Sequence, residues 1–554
     1  MRFCCDLLQD KFILLGEISM KRILLTFILF LAGCATYEAP QLTYVPPVAP
    51  PQPAAASQTE QPTQPAAATP IDYALPDANL TIYFMGASVA DDTLIVEAAN
   101  TRLANLGYNI TITPIWGDWG AGQSIQAVLD SGDTNVDIVF TSSWDVIYVT
   151  NANRGNFVRL DDPNNNLLDR FGQNVRAAVP QSLWSGFITE GPQGRGIYAV
   201  PGYKDYAQLY AWEVNAELLE DLGFNFDDFN WSYDTLFDPM FAAAMEAFQE
   251  RFGEESFPLL VEPESFMRSV TNSDFDITGL GIFHFGFDPN NPFMPMRPEV
   301  RPTIENPDYL QALYQMYNFF NSGFINPQLA APGEAATVLE NTRATGDFLF
   351  SNVTYSYGHT QVSSQQRGRD MRYPPMSSPI LSTVSVTGSG YAISAFSQQQ
   401  EQAMRFLNAW YTDSELATIL TYGIEGLHFE RNADGTITLN QDMRAQFAPW
   451  RNGTGNIFIL PPLDVEGPGF FERFSAYNQQ GVPTALLGFT FDETPVASEI
   501  AALRNVMDIY QAELTIGATN PTTRIPEFIT VLNANGLQAV QAELDSQMAA
   551  FFNQ

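Results

Sequence analysis

The chain is expected to be an α/β protein built from at least two lobes. Three observations carry this expectation. Strand-like runs alternate with helical spacing three times between residues 80 and 140, the pattern of β–α units around a parallel sheet. The third run, Val136-Asp137-Ile138-Val139-Phe140, is almost continuously apolar, as a strand buried on both faces requires. The chain is 554 residues long, more than one hydrophobic core usually serves.

Taken in order, the chain opens with an address. Met20-Lys21-Arg22 is basic, Ile23 to Phe30 is a short apolar run, and Leu31-Ala32-Gly33-Cys34 closes it. The run is about half the ~20 residues that span a bilayer, so residues 1–34 are read as a signal peptide, with Met20 the expected true start. The Leu-Ala-Gly-Cys ending resembles the bacterial lipobox. That resemblance implies thioether lipidation of Cys34, cleavage before it and acylation of the new amino terminus. An ordinary secretory peptide with an accidental cysteine is the alternative. Residues 35–70 are Pro, Ala, Gln, Thr and Ser with little charge, a spacer that buries nothing.

The body then begins. Leu80 to Met85 is the first strand, followed by Gly86-Ala87-Ser88 and a helix through Leu103; Asn109 to Ile115 is the second strand, and Gln123 to Leu129 is helical. Ligands of such sheets sit beyond the carboxyl ends of strands, which marks Gly86 to Ser88 and Thr141 to Asp145 as candidate binding loops. Further helices are expected over Tyr309–Phe320, Gln402–Trp410 and Leu537–Phe551. Thr412-Asp413-Ser414-Glu415 reads as a capping box opening a helix through Leu420, and Asn432-Ala433-Asp434-Gly435 as a β-hairpin turn.

Bulk chemistry narrows the function. With 26 Lys and Arg against 62 Asp and Glu, the formal net charge is −36, which repels phosphate backbones and argues against a nucleic-acid partner. Cys4, Cys5 and Cys34 are the only cysteines, so the folded body has no thiolate for catalysis or metal binding. His284, His359 and His428 are scattered, and neither a metal site nor a cofactor is expected.

Several phrases together resemble extracellular solute-binding proteins of the sugar type, in the lipoprotein subgroup with an additional C-terminal domain. They are Trp116-Gly117-Asp118-Trp119, Asp137 to Trp144, Leu160-Asp161-Asp162, Gly196-Ile197-Tyr198-Ala199-Val200-Pro201, Gly323-Phe324-Ile325-Asn326-Pro327, Ala403 to Asn408, Thr412 to Leu416, Tyr422 to His428 and Gly488-Phe489-Thr490-Phe491-Asp492. Their order covers roughly residues 79–550. The enlarged loop Gly191 to Gly196 and the loosely matching Asn352 to Gly358 depart from the pattern. The resemblance implies a two-lobed periplasmic-binding-protein-like type II fold with a hinge. Lobe I would be residues 71–207 plus about 386–425, lobe II about 208–385, and an extra, mainly helical C-terminal region about 426–554, packed on the lobes. It further implies a monomeric, non-enzymatic component of an ABC importer, lipid-anchored at the cell surface or in the periplasm, whose partners are permease subunits and a sugar or oligosaccharide.

Sugars present apolar C–H faces ringed by hydroxyls, so their sites combine aromatic platforms with polar side chains. Five of the eight tryptophans fall between Trp116 and Trp212, and tyrosines cluster at Tyr198, Tyr203, Tyr206 and Tyr210. Trp144, at the carboxyl end of a buried strand, is the first candidate platform, with surface packing as the alternative; Ser142 and Asp145 share its loop. Tyr203 and Lys204 precede the expected hinge run Gln208 to Trp212, in which Trp212 is either ligand, hinge or core. Tyr355 falls where relatives line the second lobe. Glu425 and His428 are candidates for ligand contact or for joining the lobe to the C-terminal region. Trp116 and Trp119, read as flanking the start of a helix, are expected to pack more than to bind.

Other motifs fail. Asp162-x-Asn164-x-Asn166 begins like a calcium loop, but Leu167 and Gln173 stand where it needs Gly and Glu. Gly86-Ala87-Ser88-Val89-Ala90 lacks the last Gly of a nucleophile elbow, and no Walker A sequence is present. Two rivals remain: a surface glycoside hydrolase, which needs two carboxylates about a sugar ring, and a sensing or adhesion lipoprotein without an importer.

Overall fold

The computed structural model describes residues 76–553 apart from 87–89, 118–121, 263–265, 267–277, 279, 286–299, 332–333, 377, 444–450 and 454. Cys34, the signal segment and the spacer lie outside the described residues, as do Ala87, Ser88, Asp118 and Trp119 of the sequence-derived phrases.

β-Branched and aromatic runs set the strands of the two larger sheets among the described residues. They are β1 (Ala78–Met85), β2 (Ile110–Gly117), β3 (Ile138–Thr141), β4 (Val200–Pro201), β5 (Leu209–Asn215), β6 (Leu259–Leu260), β7 (Phe350–Tyr355), β8 (Met371–Arg372) and β9 (Gly390–Ile393). The first sheet has the order β2-β1-β3-β9-β4. β1 runs parallel to β2 and β3, whereas β9 returns antiparallel, pairing Gly390 with Thr141 and Ile393 with Ile138. All four residues of β3 are buried, matching its continuous apolar sequence, and the alternating sequence of β2 gives an edge strand that is half exposed. The second sheet has the order β8-β5-β7-β6, with β5 and β7 antiparallel from Leu209 opposite Tyr355 to Val214 opposite Phe350.

The helices used below are α1 (Asp92–Asn105), α2 (Gly122–Asp130), α3 (Pro239–Phe252), α4 (Pro307–Asn321), α5 (His359–Arg367), α6 (Gln400–Trp410), α7 (Ser414–Tyr422), α8 (Phe470–Asn478), α9 (Ala497–Thr515), α10 (Pro521–Ala534) and α11 (Leu537–Phe552). The expected helices over 309–320, 402–410 and 537–551 are the cores of α4, α6 and α11. The cap of α7 is a correction. Its N-cap is Asp413, not Thr412: Asp413 accepts from Leu416 N–H at 2.8 Å, while the Thr412 hydroxyl donates back to the Asn408 carbonyl. Asp413 is also gripped by both sides of the Arg102 guanidinium (2.9 and 2.6 Å), which ties α1 to the start of α7. The hairpin turn at 432–435 joins Phe429–Arg431 to Ile437–Leu439, with Gly435 at positive φ. Trp116 is a second correction: it lies within β2 and does not open a helix.

Two hydrophobic cores result. One gathers β1, β3, β9, α1, α2, α6 and α7 and reaches Phe470, Phe474 and Tyr477 of α8. The other gathers Trp212 and Val214 of β5, α3, α4 and the C-terminal helices α9, α10 and α11. The chain leaves the first core for the second between Ala211 and Trp212, returns between Met371 and Val386 and leaves again between Tyr477 and Leu486, while Val353 of β7 packs with the first core. The three passages pair with one another. Gln208 and Ile380 exchange backbone hydrogen bonds at 2.9 and 2.8 Å, and Val482 and Thr484 donate to the Pro379 and Leu381 carbonyls.

Candidate functional site

β3 ends at Thr141 and the chain turns at once. The Ser142 hydroxyl accepts from the Trp144 and Asp145 N–H groups (3.1 and 2.7 Å) and donates to the Asp145 carbonyl (2.9 Å). Val146 follows with φ +41°, a value that a β-branched residue adopts only under strain. The loop is held against the 384–388 turn by Ser143, whose N–H donates to Thr387 and whose hydroxyl donates to Val384. The outcome is an indole that is 42% exposed yet fixed. Its Nε1 donates to the Gly388 carbonyl at 2.9 Å, and its ring continues a chain of buried rings through Phe140 (5.7 Å), Tyr391 (5.7 Å) and Trp410 (4.7 Å). Asp145 is half buried beneath it, within 3.5 Å of the Tyr83 hydroxyl, and burial raises its pKa above the ordinary carboxylate value.

A second group converges on the same place from β4 and from the end of β7. A Cβ on Gly388 would stand 3.6 Å from the Lys204 ammonium, so Lys204 lies beside the residue that anchors Trp144. Lys204 pairs with the Asp205 carboxylate (2.7 Å), and the other Asp205 oxygen accepts from the Ser356 hydroxyl at 2.6 Å. Asp205 lies in the segment between β4 of the first sheet and β5 of the second, and Ser356 directly follows β7, so this pair of bonds ties the connecting segment to the end of β7. Tyr355 and Tyr357 flank it. Tyr355 meets Tyr477 edge-on at 5.9 Å and His359 at 5.7 Å, and Tyr203 lies against Phe458 at 4.3 Å. Burial raises the Tyr203 and Tyr355 phenols above their ordinary pKa and lowers that of His359, whose Nδ1 accepts from the Ser356 N–H.

Of the residues nominated from the sequence, Trp144 and Lys204 both stand at Gly388, Lys204 reaches Ser356, the residue after Tyr355, through Asp205, and Asp145 and Tyr203 adjoin Trp144 and Lys204 in sequence. Four others are placed differently. Ser142 is fully buried and its hydroxyl is used within the turn. Trp212 is 1% exposed in the second core, its indole N–H donating to the Ser232 carbonyl (2.8 Å) and its ring lying 5.0 Å from Phe241, so it offers a solute no face. His428 is buried, bonded to the Ile424 N–H and to Asp91. Glu425 is paired with Arg431 on the surface, beside Glu415. Trp116 packs as expected, stacked on Phe84 at 4.9 Å with its N–H on Asp92.

Sequence reasoning missed Asp205, Ser356 and all of α8. The signal for α8 was present: Phe470, Phe471, Phe474 and Tyr477 recur at helical spacing behind Gly467-Pro468-Gly469. Among the described residues, no cluster of three or more His, Cys, Asp or Glu is placed to hold a metal ion, and no helix is long and apolar enough to cross a membrane. A separate groove of about 680 Å³ opens in the second lobe, lined by Leu218, Phe248, Phe252, Phe257, Leu260 and Arg369. None of the nominated residues lines it.

Two α/β lobes joined by paired passages have the fold of ABC-transporter solute-binding proteins. Comparisons with known proteins agree. A family described as "Domain of unknown function (DUF3502)" matches residues 485–553. A carbohydrate ABC transporter substrate-binding protein from Streptococcus pneumoniae serotype 4 is 23% identical over 464 residues, which is 83% of this chain and 88% of the relative. Among solved structures, the N-glycan transport solute binding protein NgtS from Streptococcus pneumoniae superposes with a TM-score of 0.73 at 21% identity, over 86% of this chain and 100% of that one. The same protein in complex with Man5GlcNAc gives a TM-score of 0.69 at 21% identity, over 86% and 99%.

Proposed function

We propose that this chain is the lipid-anchored, extracytoplasmic solute-binding component of an ABC importer, and that it captures a sugar or oligosaccharide by closure of its two lobes. The observation that carries the reading is an exposed, anchored indole (Trp144) whose anchor, Gly388, stands beside the Lys204–Asp205–Ser356 chain of polar contacts at the end of β7. A sugar ring would lie on Trp144, with Tyr203 and Tyr355 offering further apolar faces and Asp145 and Lys204 binding hydroxyls. Solute favours closure only through contacts that the open form lacks, and contacts reaching both lobes meet that condition. Ser142 then serves by holding the loop, and Trp212, Glu425 and His428 serve the fold.

In this reading Cys34 carries the lipid, residues 35–70 are the spacer, lobe I is 71–207 plus about 386–425, and lobe II is about 208–385. The C-terminal region from about 426 divides between them. Permease subunits would receive the loaded protein, which acts as a monomer and not as an enzyme.

The saccharides of the relatives supply the first probes. A thermal-shift series on the protein with Man1GlcNAc, Man5GlcNAc and a wider panel of mono- and oligosaccharides tests the reading. A solute at one hundred times its Kd adds about 2.7 kcal/mol of stability. A clear upward shift with one class, and recovery of that saccharide intact, is expected. Recovery of a shorter product would mean hydrolysis, and no shift with any saccharide would remove sugar as the solute.

A further inference from the structure

The C-terminal region contributes more than packing. Along α8, Phe470, Phe474 and Tyr477 meet the ring of Tyr357 at 5.4, 5.2 and 5.5 Å, and Tyr477 meets Tyr355 edge-on at 5.9 Å. These two tyrosines bracket Ser356, whose hydroxyl donates to Asp205. The end of α8 is fixed from the other side. The Asn478 side chain accepts from the Tyr206 and Ala207 N–H groups and donates to the Lys204 carbonyl, gripping the backbone on both sides of Asp205. Tyr477 is thereby held against the Asp205–Ser356 contact from two directions.

Its hydroxyl is the anomaly. Tyr477 is 9% exposed, and its oxygen is buried without a hydrogen-bond partner, although the Asp205 carboxylate is close enough to act on it electrostatically. Buried hydroxyls are as a rule paired, so an unpaired one calls for a partner. The nearby Asp205 carboxylate holds the Lys204 ammonium and the Ser356 hydroxyl. A hydroxyl donor, a neighbouring carboxylate and two flanking rings suit a sugar unit.

We propose that Tyr477 is a solute-contacting, specificity-determining residue supplied by the C-terminal region. Its hydroxyl donates to a saccharide hydroxyl, which in turn donates to Asp205, while Tyr355 and Tyr357 cover an apolar face of the same sugar unit. This rests on the saccharide reading given above.

The test is calorimetric titration of Man5GlcNAc, or of whichever saccharide in the panel gives the largest thermal shift, into the full-length protein as wild type, Tyr477→Phe and Trp144→Ala. Tyr477→Phe keeps the ring and removes only the unpaired oxygen. Its affinity is expected to fall about tenfold, the loss of one solute hydrogen bond, while the melting temperature of the free protein stays equal or rises. Wild-type affinity in Tyr477→Phe, alongside weakened binding by Trp144→Ala, would overturn the inference and leave the saccharide reading intact. A Tyr477→Phe protein that both melts lower and binds weaker would assign the hydroxyl to the fold, and would also overturn it. No saccharide binding by the wild type would remove the saccharide reading and the inference with it.

Discussion

Asn478→Ala is the substitution that most directly tests the way the three passages between the lobes are held. Asn478 is 1% exposed, and its side chain makes three bonds to one short stretch of backbone: it accepts from Tyr206 and Ala207 N–H at 3.2 and 3.3 Å and donates to the Lys204 carbonyl at 2.8 Å. Alanine strands all three backbone groups. Each orphaned buried group costs about 1–3 kcal/mol, and two of these bonds are long, so about 3 kcal/mol in total is expected. Asn408→Ala is the matched control. Its side chain accepts from the Asn174 and Val175 N–H groups, both at 3.0 Å, remote in the chain from these passages, and its loss is expected to cost about 2 kcal/mol. Urea unfolding gives both stabilities, and hydrogen exchange at the amides of residues 206 and 207 locates the effect. Both variants should be destabilised, but only Asn478→Ala should speed exchange at 206 and 207 and weaken saccharide binding. A loss below about 0.5 kcal/mol for Asn478→Ala, the range of an ordinary surface change, would refute the reasoning.

Three further outcomes follow from the same geometry. Trp212→Ala, in the second core, should cost about 3–5 kcal/mol in urea unfolding. Trp144→Ala should cost about 1 kcal/mol or less yet reduce saccharide affinity about tenfold or more; equal effects on stability would contradict the placement of the two indoles. His359 carries a lowered pKa in the folded protein because it is buried. The unfolded chain therefore takes up a proton first, and this contribution is complete above the unfolded value of about 6.5 and lost as pH falls through the folded value. Melting temperature should consequently fall more steeply between about pH 7.5 and 5 in the wild type than in His359→Gln, and parallel curves would count against it. Arg451→Met should cost about 3–5 kcal/mol, because the Glu466 carboxylate paired with Arg451 at 2.7 Å is fully buried and would be left without its countercharge; Glu466→Gln in that background should recover part of the loss.

Local pattern revealed the scaffold and the Trp144 loop, because both are decided within a few residues. Val136–Phe140 is apolar throughout since its strand is covered on both faces, and a strand so buried must end in a loop at the sheet's carboxyl edge. What local pattern does not contain is which strand end meets which. Asp205 and Ser356 are 151 residues apart, and nothing in either neighbourhood announces a hydrogen bond between them. Trp212 misleads for a related reason: an aromatic in an apolar run has the same sequence signature whether it faces a cleft or a core, and β5 is buried along its whole length. His428 and Glu425 stand in a well-patterned phrase because that phrase closes α7 and opens the hairpin. Their side chains are paired with Asp91 and Arg431. The helix α8 was legible as a helix from its phenylalanine spacing, but its role depends on Asn478 reaching a segment 271–274 residues away.

The most direct test of the central claim is hydrogen exchange of the protein with and without Man5GlcNAc, or with the saccharide that gives the largest thermal shift. A saccharide held between the lobes should protect residues 142–147, 203–207 and 355–359 together, because those segments converge on one place from both sheets. Protection confined to residues 215–221, 248–260 and 341–347, which line the separate groove of the second lobe, or no protection at all, would contradict it.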